Sequence, residues 1–189
     1  FRRVDVDAHL DIQARGEYVV DTRMATTLAH PQNPQARVLT IEHLMSAFAC
    51  YGIDNIVVEL SAQETPIMDG SSIQFIEVLE DAGLEEQNAL RRFFEVQESI
   101  QYKDTSREVE MVALPTDNYR VTVMVDYNSP VLGSQHASIT DISQFKPEIA
   151  SCRTFCFLHE LEMLYNSNLI KGGDLNNAIV VVDRVVEKE

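Results

Sequence analysis

The 189-residue chain carries 15 basic and 30 acidic residues, so its formal net charge is −15. Nucleic-acid binding needs clustered Lys and Arg, so nucleic acid is a poor partner for this chain. Net charge leaves open a local basic pocket for one small anion. With 45% hydrophobic residues the chain can bury one substantial core or two small ones.

Cysteine usage and hydropathy indicate a cytoplasmic protein. The cysteines are Cys50, Cys152 and Cys156, an odd number without a Cys-x-x-Cys pair, which favours reduced thiols over a disulfide framework. No apolar run approaches the roughly 20 residues that span a bilayer, so we expect no transmembrane segment. Charged residues follow Phe1 at once and there is no initiator Met, so we expect no signal peptide and a natural start further upstream.

Apolar patterns in the first part of the chain predict short strands and a loop. Residues 1–11 alternate imperfectly between apolar and polar types, which predicts a strand, and another short strand is expected at 18–20. Two prolines predict a loop over residues 30–36. A compact β-branched run predicts a further strand over residues 55–60.

Helical periodicity predicts a helix over residues 40–52. Five residues form one apolar stripe with a period of 3.6: Ile41, Leu44, Met45, Phe48 and Ala49. Thr40 can cap the start of this helix, and Gly52 can end it in a left-handed conformation. Glu42 and His43 lie in the first turn, off the apolar stripe, so the helix is expected to present them together.

A turn and a second helix follow. Residues 64–72 contain a proline and the pair Asp69-Gly70, which favours a tight turn. Ser71 can cap a second helix over residues 71–82. These residue types are fully explained by a turn and a helix cap, so any functional role would be to fold this loop beneath a site.

The second half of the chain repeats the element order of the first half. A polar, charged stretch at residues 85–92 is the candidate linker, so we expect α+β domains at 1–90 and 91–189. A hairpin-type turn is predicted at 116–118. The other predictions are strands at 93–99, 107–113, 119–127, 135–140 and 178–186, and helices at 142–150 and 158–167. A final helix that would complete the repeat is missing, so we expect a truncated second domain.

Glu42 and His43 are the first candidate site residues. As surface chemistry, a Glu in the first turn complements the positive end of the helix dipole, and a neighbouring His is common. As a site, His43 ligates a metal as neutral imidazole, and Glu42 takes a proton from metal-bound water. The pair alone favours the surface interpretation.

A second candidate stretch lies at residues 151–157, which alternate between polar and apolar types and can form an edge strand. As a site, Thr154 offers a hydroxyl that can stabilise an oxyanion, and Phe155 can line an apolar channel. A zincin motif beginning at His159 is rejected, because its fifth position is Met163 and not His.

Five long motifs occur in a fixed order between about residue 21 and the C-terminus. They are Thr-Ile-Glu-His-Leu-Met-Ser-Ala, Gly-Ile-Asp-Asn-Ile-Val-Val-Glu, Pro-Ile-Met-Asp-Gly-Ser-Ser, Ser-Cys-Arg-Thr-Phe-Cys-Phe and Lys-Gly-Gly-Asp-Leu-Asn-Asn-Ala-Ile-Val-Val. In this order they resemble the UDP-3-O-acyl-N-acetylglucosamine deacetylase family. The resemblance implies the committed zinc-dependent step of lipid A synthesis in a Gram-negative type of bacterium.

The resemblance also implies a fold and a reaction. The family fold is two similar α+β domains, each a mixed sheet packed against helices, with the active site between them. The substrate is a UDP-sugar that carries a hydroxyacyl chain, and the products are acetate and the free amine. The matching motifs place Glu42 as general base, His43 as zinc ligand and Thr154 as support for the oxyanion. Residues near the substrate are then Met24, Phe155, Gly172 and Gly173.

The chain departs from the family pattern in two ways. Cys156 stands where many members have Gly, which is a minor change. The family completes its zinc site with a later His-Lys-x-x-Asp helix and uses a still later His as general acid, and no such motif follows Val186. A catalytic zinc needs three protein ligands, so His43 alone is not expected to hold the ion, and this chain alone is expected to be inactive. Some relatives also carry a fused hydroxyacyl-carrier-protein dehydratase domain.

Three hypotheses follow. The first is that the chain is the larger N-terminal part of a zinc-dependent deacetylase. The second is a non-catalytic α+β binding or assembly protein without bound metal. The third is a metal-free hydrolase that uses Glu42 and His43 as base and acid.

Overall fold

A computed structural model of the chain describes residues 1–6, 10–167, 170 and 172–183. Within these ranges short strands and helices alternate, and the strands form five sheets of two or three strands each. This mixture confirms the predicted α+β class. None of the helices in the described ranges is both long enough and apolar enough to cross a membrane.

The first half of the chain folds around two small sheets. Strand β1 (Arg2–Arg3) pairs in parallel with β5 (Glu59–Leu60). Strands β2 (Val19–Asp21), β3 (Thr27–His30) and β4 (Asn33–Val38) form an antiparallel sheet in that order. One apolar cluster fills the space that these elements enclose: Ile12, Leu28, Ala36, Val38, Ile41 and Leu60.

Three predictions for this half need correction. The loop predicted at 30–36 is wrong, because β4 begins at Asn33 and Pro34 lies within it. Strand β4 is at the edge of its sheet, where a proline without an N–H group is tolerated. The strands predicted at 1–11 and 55–60 are shorter than expected: only β1 and β5 pair as strands, and Asp11 forms no more than an isolated bridge with Arg2. Residues 7–9 lie outside the described ranges.

Two helices pack against each other next to this core. Helix α1 (Glu42–Cys50) and helix α2 (Ile73–Ala82) confirm the two predicted helices. Their contact is a second apolar cluster whose fully buried members include Ala47 and Ile76. The cluster also contains Ala150 from the second half, so the two halves share this packing.

The caps of these helices differ in part from the prediction. Thr40 does not cap α1, because Ile41 occupies the N-cap position and the Thr40 hydroxyl instead donates to Glu64 Oε1 at 2.6 Å. Gly52 adopts φ +62°, and its N–H donates to Ala49 O, as expected for a residue that ends a helix.

The second half contains two hairpins. Strands β6 (Ile100–Asp104) and β7 (Val109–Ala113) form the first, and β8 (Val121–Asp126) and β9 (Ser134–Ile139) form the second. The strand predicted at 93–99 is wrong, since these residues have no ladder partner among the described strands. The hairpin turn predicted at 116–118 is also wrong, because β7 pairs with β6 and not with β8.

A parallel pair of strands completes the second half. Strand β10 (Phe155–Phe157) pairs with β11 (Ile179–Val181), and helix α3 (Leu161–Asn166) lies between them in the chain. A short helical stretch over residues 142–149 continues through its proline. The strand predicted over 178–186 extends past the described residues after 183. The domain boundary at residue 90 stays a prediction.

Candidate active site

Glu42 is the first residue of α1, and its carboxylate is held by the backbone of a neighbouring segment. The side chain is half-buried, and Oε2 accepts a hydrogen bond from the Thr26 N–H at 3.1 Å. Thr26 immediately precedes the buried strand β3, which gives the donor a rigid support.

Thr40, two residues before Glu42, has φ +59°, an uncommon conformation for a residue with a β-branched side chain. Its hydrogen bonds to Glu64 and Thr65 hold the chain in this conformation at the start of the helix.

His43 is linked to the start of α2 through two serines. Its carbonyl oxygen accepts from Ser46 Oγ at 2.7 Å, and Ser46 Oγ lies 2.6 Å from Ser72 Oγ. Because the single hydroxyl proton of Ser46 is directed to His43, Ser72 must donate the proton in the second hydrogen bond. The first turn of α1 is therefore tied to the turn that precedes α2.

That turn, residues 69–72, is called the central turn below. The Asp69 carboxylate accepts from both the N–H and the hydroxyl of Ser71, and Ser71 Oγ in turn accepts from the Ile73 N–H. Burial acts to raise the pKa of Asp69, but the hydrogen bonds from Ser71 and the nearby charge of Arg153 outweigh it. The pKa of Asp69 therefore lies below its ordinary value of 3.8.

We expect Asp69→Asn to lower the stability of the protein at neutral pH. The amide oxygen can still accept from Ser71, so the variant loses chiefly the charge. A lowered folded pKa means that the ionised carboxylate stabilises the fold above the ordinary pKa, and that this contribution is lost as the pH falls through the folded value. Urea unfolding should therefore show a difference from wild type at pH 7 that shrinks below about pH 4. Asp117→Asn, in an exposed connection, is the control; a difference that persists unchanged into acid would contradict the assignment.

The central turn is also the place where the second half of the chain reaches the first. Gly70 O accepts from the Thr154 N–H at 2.8 Å, and Arg153 Nε donates to Asp69 O at 2.6 Å. A Cβ atom placed on Gly70 would lie 2.1 Å from the carbonyl oxygen of Asn177. The sequence suggested that this loop folds beneath a site. In the structure the loop contacts Thr154 directly, and it contacts helix α1 through Ser72.

Thr154 immediately precedes β10, and Phe155 is the first residue of that strand. Thr154 is fixed on both sides of its backbone, since Ile179 N also donates to Thr154 O at 3.0 Å. Phe155 is 37% exposed and packs edge-on against Tyr127, with ring centroids 5.4 Å apart. Phe157 lies edge-on to Phe155 at 5.8 Å, so three aromatic rings form one partly exposed surface beside Thr154.

The remaining candidate residues lie in loops next to segments that contact Glu42 or the central turn. Met24 is 58% exposed and lies two residues before Thr26, the residue that contacts Glu42. Gly172 and Gly173 are exposed, and the Gly172 carbonyl accepts from the Asn177 side chain at 2.8 Å. Asn177 is also the residue whose backbone approaches Gly70. The structure therefore connects the segments of all the candidate residues through the central turn.

The described residues do not by themselves form a complete metal site. Among them, no group of three or more His, Cys, Asp or Glu side chains is placed to hold a metal ion. A catalytic zinc needs three protein ligands, so His43 can contribute only one of them and the described donor set does not fit a zinc ion.

Sequence patterns missed several residues that organise this site. Thr26 binds the Glu42 carboxylate through its backbone N–H. The hydroxyls of Ser46 and Ser72 are hydrogen-bonded to each other and so link helix α1 to the start of α2. Arg153 stands inside a motif that carried the resemblance, next to Thr154, and this position is the one signal that could have identified it.

Comparison with known proteins shows which family the chain matches. A family model described as LpxC, UDP-3-O-acyl N-acetylglycosamine deacetylase, matches residues 1–189. A UDP-3-O-acyl-N-acetylglucosamine deacetylase of Teredinibacter turnerae is 44% identical over 184 residues, which cover 96% of this chain and 59% of that protein. The same name belongs to a Neisseria meningitidis protein that is 41% identical over 188 residues, covering 97% of this chain and 60% of that protein. A bifunctional enzyme LpxC/FabZ of Chlorobaculum tepidum is 41% identical over 189 residues, covering 100% of this chain and 40% of that protein.

The chain thus spans between 40% and 60% of the length of these relatives. The family match extends over every residue of the chain, and it confirms the resemblance that the five ordered motifs indicated. The chain belongs to the UDP-3-O-acyl N-acetylglycosamine deacetylase family.

Proposed function

We propose that this chain supplies part of the active site of an enzyme that removes acetate from a UDP-linked 3-O-acyl-N-acetylglucosamine in lipid A biosynthesis. The observation that carries the proposal is the family match over residues 1–189. The placement of Glu42 and Thr154 in segments that meet at the central turn supports it further. The family match favours this enzyme over a non-catalytic binding or assembly protein.

In the proposed reaction Glu42 is the general base. Water attacks the acetyl carbonyl carbon, and Glu42 accepts a proton from that water as the new C–O bond forms. The Thr26 N–H binds Oε2 of the carboxylate, and no described residue donates to Oε1, the oxygen that is proposed to take the proton. The C–N bond then breaks, the nitrogen leaves as an amine after gaining a proton, and acetate is the second product.

Thr154 is the proposed support for the oxyanion that forms on the carbonyl oxygen. Its hydroxyl can donate to that oxygen, and both of its backbone groups are already bonded, which fixes its position before the reaction begins. The partly exposed aromatic surface beside it, with Phe155 at its edge, suits the sugar and acyl chain. Met24, Gly172 and Gly173 are the other proposed substrate contacts.

Zinc is the proposed cofactor, with His43 as one ligand. A bound zinc ion would act as a Lewis acid and would lower the pKa of the water bound to it. Because the described residues do not complete a zinc site, the other ligands must come from outside them.

We further propose a cytoplasmic location, which the three free cysteines suit. A fused or neighbouring dehydratase domain is a proposed partner, supported by relatives named bifunctional enzyme LpxC/FabZ.

The test is acetate release from a UDP-3-O-(hydroxyacyl)-N-acetylglucosamine by the intact protein, together with its metal content. We expect one acetate per free amine, bound zinc in purified protein, loss of activity with a chelator and recovery when zinc is restored. UDP-N-acetylglucosamine without the acyl chain is the control substrate, and it should react far more slowly. Zinc-loaded protein that releases no acetate would remove the proposal, and activity that resists the chelator would favour a metal-free hydrolase instead.

A further inference from the structure

We propose that Arg153 is a positioning residue that holds Thr154 in place for the reaction, an inference that rests on the proposed function. Arg153 Nε donates to Asp69 O at 2.6 Å, and one of its terminal nitrogens, Nη2, donates to Leu175 O at 3.1 Å. The first acceptor is 84 residues away in the chain and the second is 22 residues away. One guanidinium thus joins the central turn to the loop that precedes β11.

Thr154 lies between the two segments that Arg153 joins. Its N–H donates to Gly70 O in the central turn, and its carbonyl accepts from Ile179 N in β11. Arg153 therefore holds Asp69, which adjoins the Gly70 acceptor, and Leu175, which lies in the loop that leads into the Ile179 donor. If either segment moves, the Thr154 hydroxyl moves with it.

Only an arginine can make this connection as the structure has it. The planar guanidinium offers several N–H groups in a fixed fork, and here two of them reach carbonyls on separate loops. A lysine ammonium at the same position is a compact point charge on a flexible stem, so it can replace one of these hydrogen bonds but not hold the same fixed pair. The charge of Arg153 also contributes to the low pKa of Asp69 in the central turn.

The experiment is a double-mutant cycle in the intact protein with Arg153→Met and Thr154→Val. Because misplacement of a reacting group by about 1 Å can cost 10²-fold, we expect Arg153→Met to lower kcat by about 10- to 100-fold with KM changed less than about threefold. In the Thr154→Val background the same change should lower kcat by no more than about threefold, because the hydroxyl that it positions is already absent. Thr154→Ser, which restores a hydroxyl, should recover much of the activity that Thr154→Val loses.

Two further variants keep the test decisive. Arg153→Lys should fold and give a kcat between wild type and Arg153→Met, which covers the case in which the Met variant does not fold. Arg107→Met, in the exposed turn between β6 and β7, is the matched control and should leave kcat unchanged.

Several results would overturn the inference. They are a kcat for Arg153→Lys equal to wild type, an effect of Arg153→Met confined to KM, and an equal loss of kcat in the wild-type and Thr154→Val backgrounds. An unchanged kcat for Thr154→Val would overturn it as well, since nothing would then remain for Arg153 to position. If wild-type protein itself releases no acetate, the proposed function fails, and this result is distinct from all the others.

Discussion

Glu42→Gln is expected to lower kcat for acetate release by about 10²–10⁴-fold, the range over which general-base catalysis contributes. The amide of glutamine can still accept the hydrogen bond from the Thr26 N–H, so the first turn of α1 should keep its structure. What the variant loses is a group that can take a proton from water. The zinc content of the purified intact protein and its KM should therefore change little, while kcat falls.

A matched control for Glu42→Gln is Glu77→Gln, which makes the same chemical change on the exposed face of α2. This variant should keep wild-type kcat, KM and zinc content. If Glu42→Gln turned over substrate at the wild-type rate, the general base would have to be another residue. If it lost zinc together with activity, Glu42 would have to support the metal and not the proton transfer.

The parts of the fold that could be predicted are those that local sequence encodes. Helix α1 was visible from its apolar period and from Gly52 at its end, and α2 from its own apolar residues. The predicted cap of α2 is wrong, because Ser72 and not Ser71 occupies the N-cap position. Strand β8 was visible from its alternating valines. Each of these signals depends on neighbours within a few residues, so no knowledge of the tertiary structure was needed.

The errors arose where pairing partners decide the structure. Strand β4 accepts a proline because it lies at a sheet edge, and the sequence does not say which strand is at an edge. The turn between β6 and β7 is built on the Asp104 carboxylate, which accepts from Ser106 N at 2.9 Å, and on Glu108 with φ +56°. Neither residue type marks a hairpin as strongly as an Asn-Gly or Asp-Gly pair does, so the hairpin was placed one strand too late.

The candidate site also has a part that local sequence indicates and a part that only the folded chain shows. Glu42, His43 and Thr154 could be proposed from the sequence because a motif is a pattern of side-chain types. The contacts that connect their segments use backbone groups, such as the Thr26 N–H, the Gly70 carbonyl and the carbonyls bound by Arg153. A backbone group has no residue-type signature, and its partner can be 84 residues away, so these contacts become visible only in the folded chain.

Gly70→Ala is expected to give the largest loss of stability among the variants considered, about 2–4 kcal/mol in the free energy of unfolding. Two costs add. Gly70 has φ +84°, where a side chain is strained, and a Cβ atom there would lie 2.1 Å from Asn177 O. The acceptor is a backbone oxygen, so the clash can be relieved only by moving the loop before β11 away from the central turn. Acetate release should fall as well, because Gly70 O is the acceptor for the Thr154 N–H.

Gly83→Ala separates the two costs of the Gly70 substitution. Gly83 has φ +74°, but nothing lies within 4 Å of the position that its Cβ would take, so this variant carries the strain without the clash. Gly83 has ψ 172°, which with its positive φ is a conformation almost confined to glycine, so urea unfolding should show about 1–3 kcal/mol for Gly83→Ala and a larger loss for Gly70→Ala. Equal losses would mean that the approach of Asn177 to the central turn is not tight in solution. In that case the connection between the two candidate stretches would have to depend on Arg153 and on the hydrogen bonds of Thr154, and not on the close contact at Gly70.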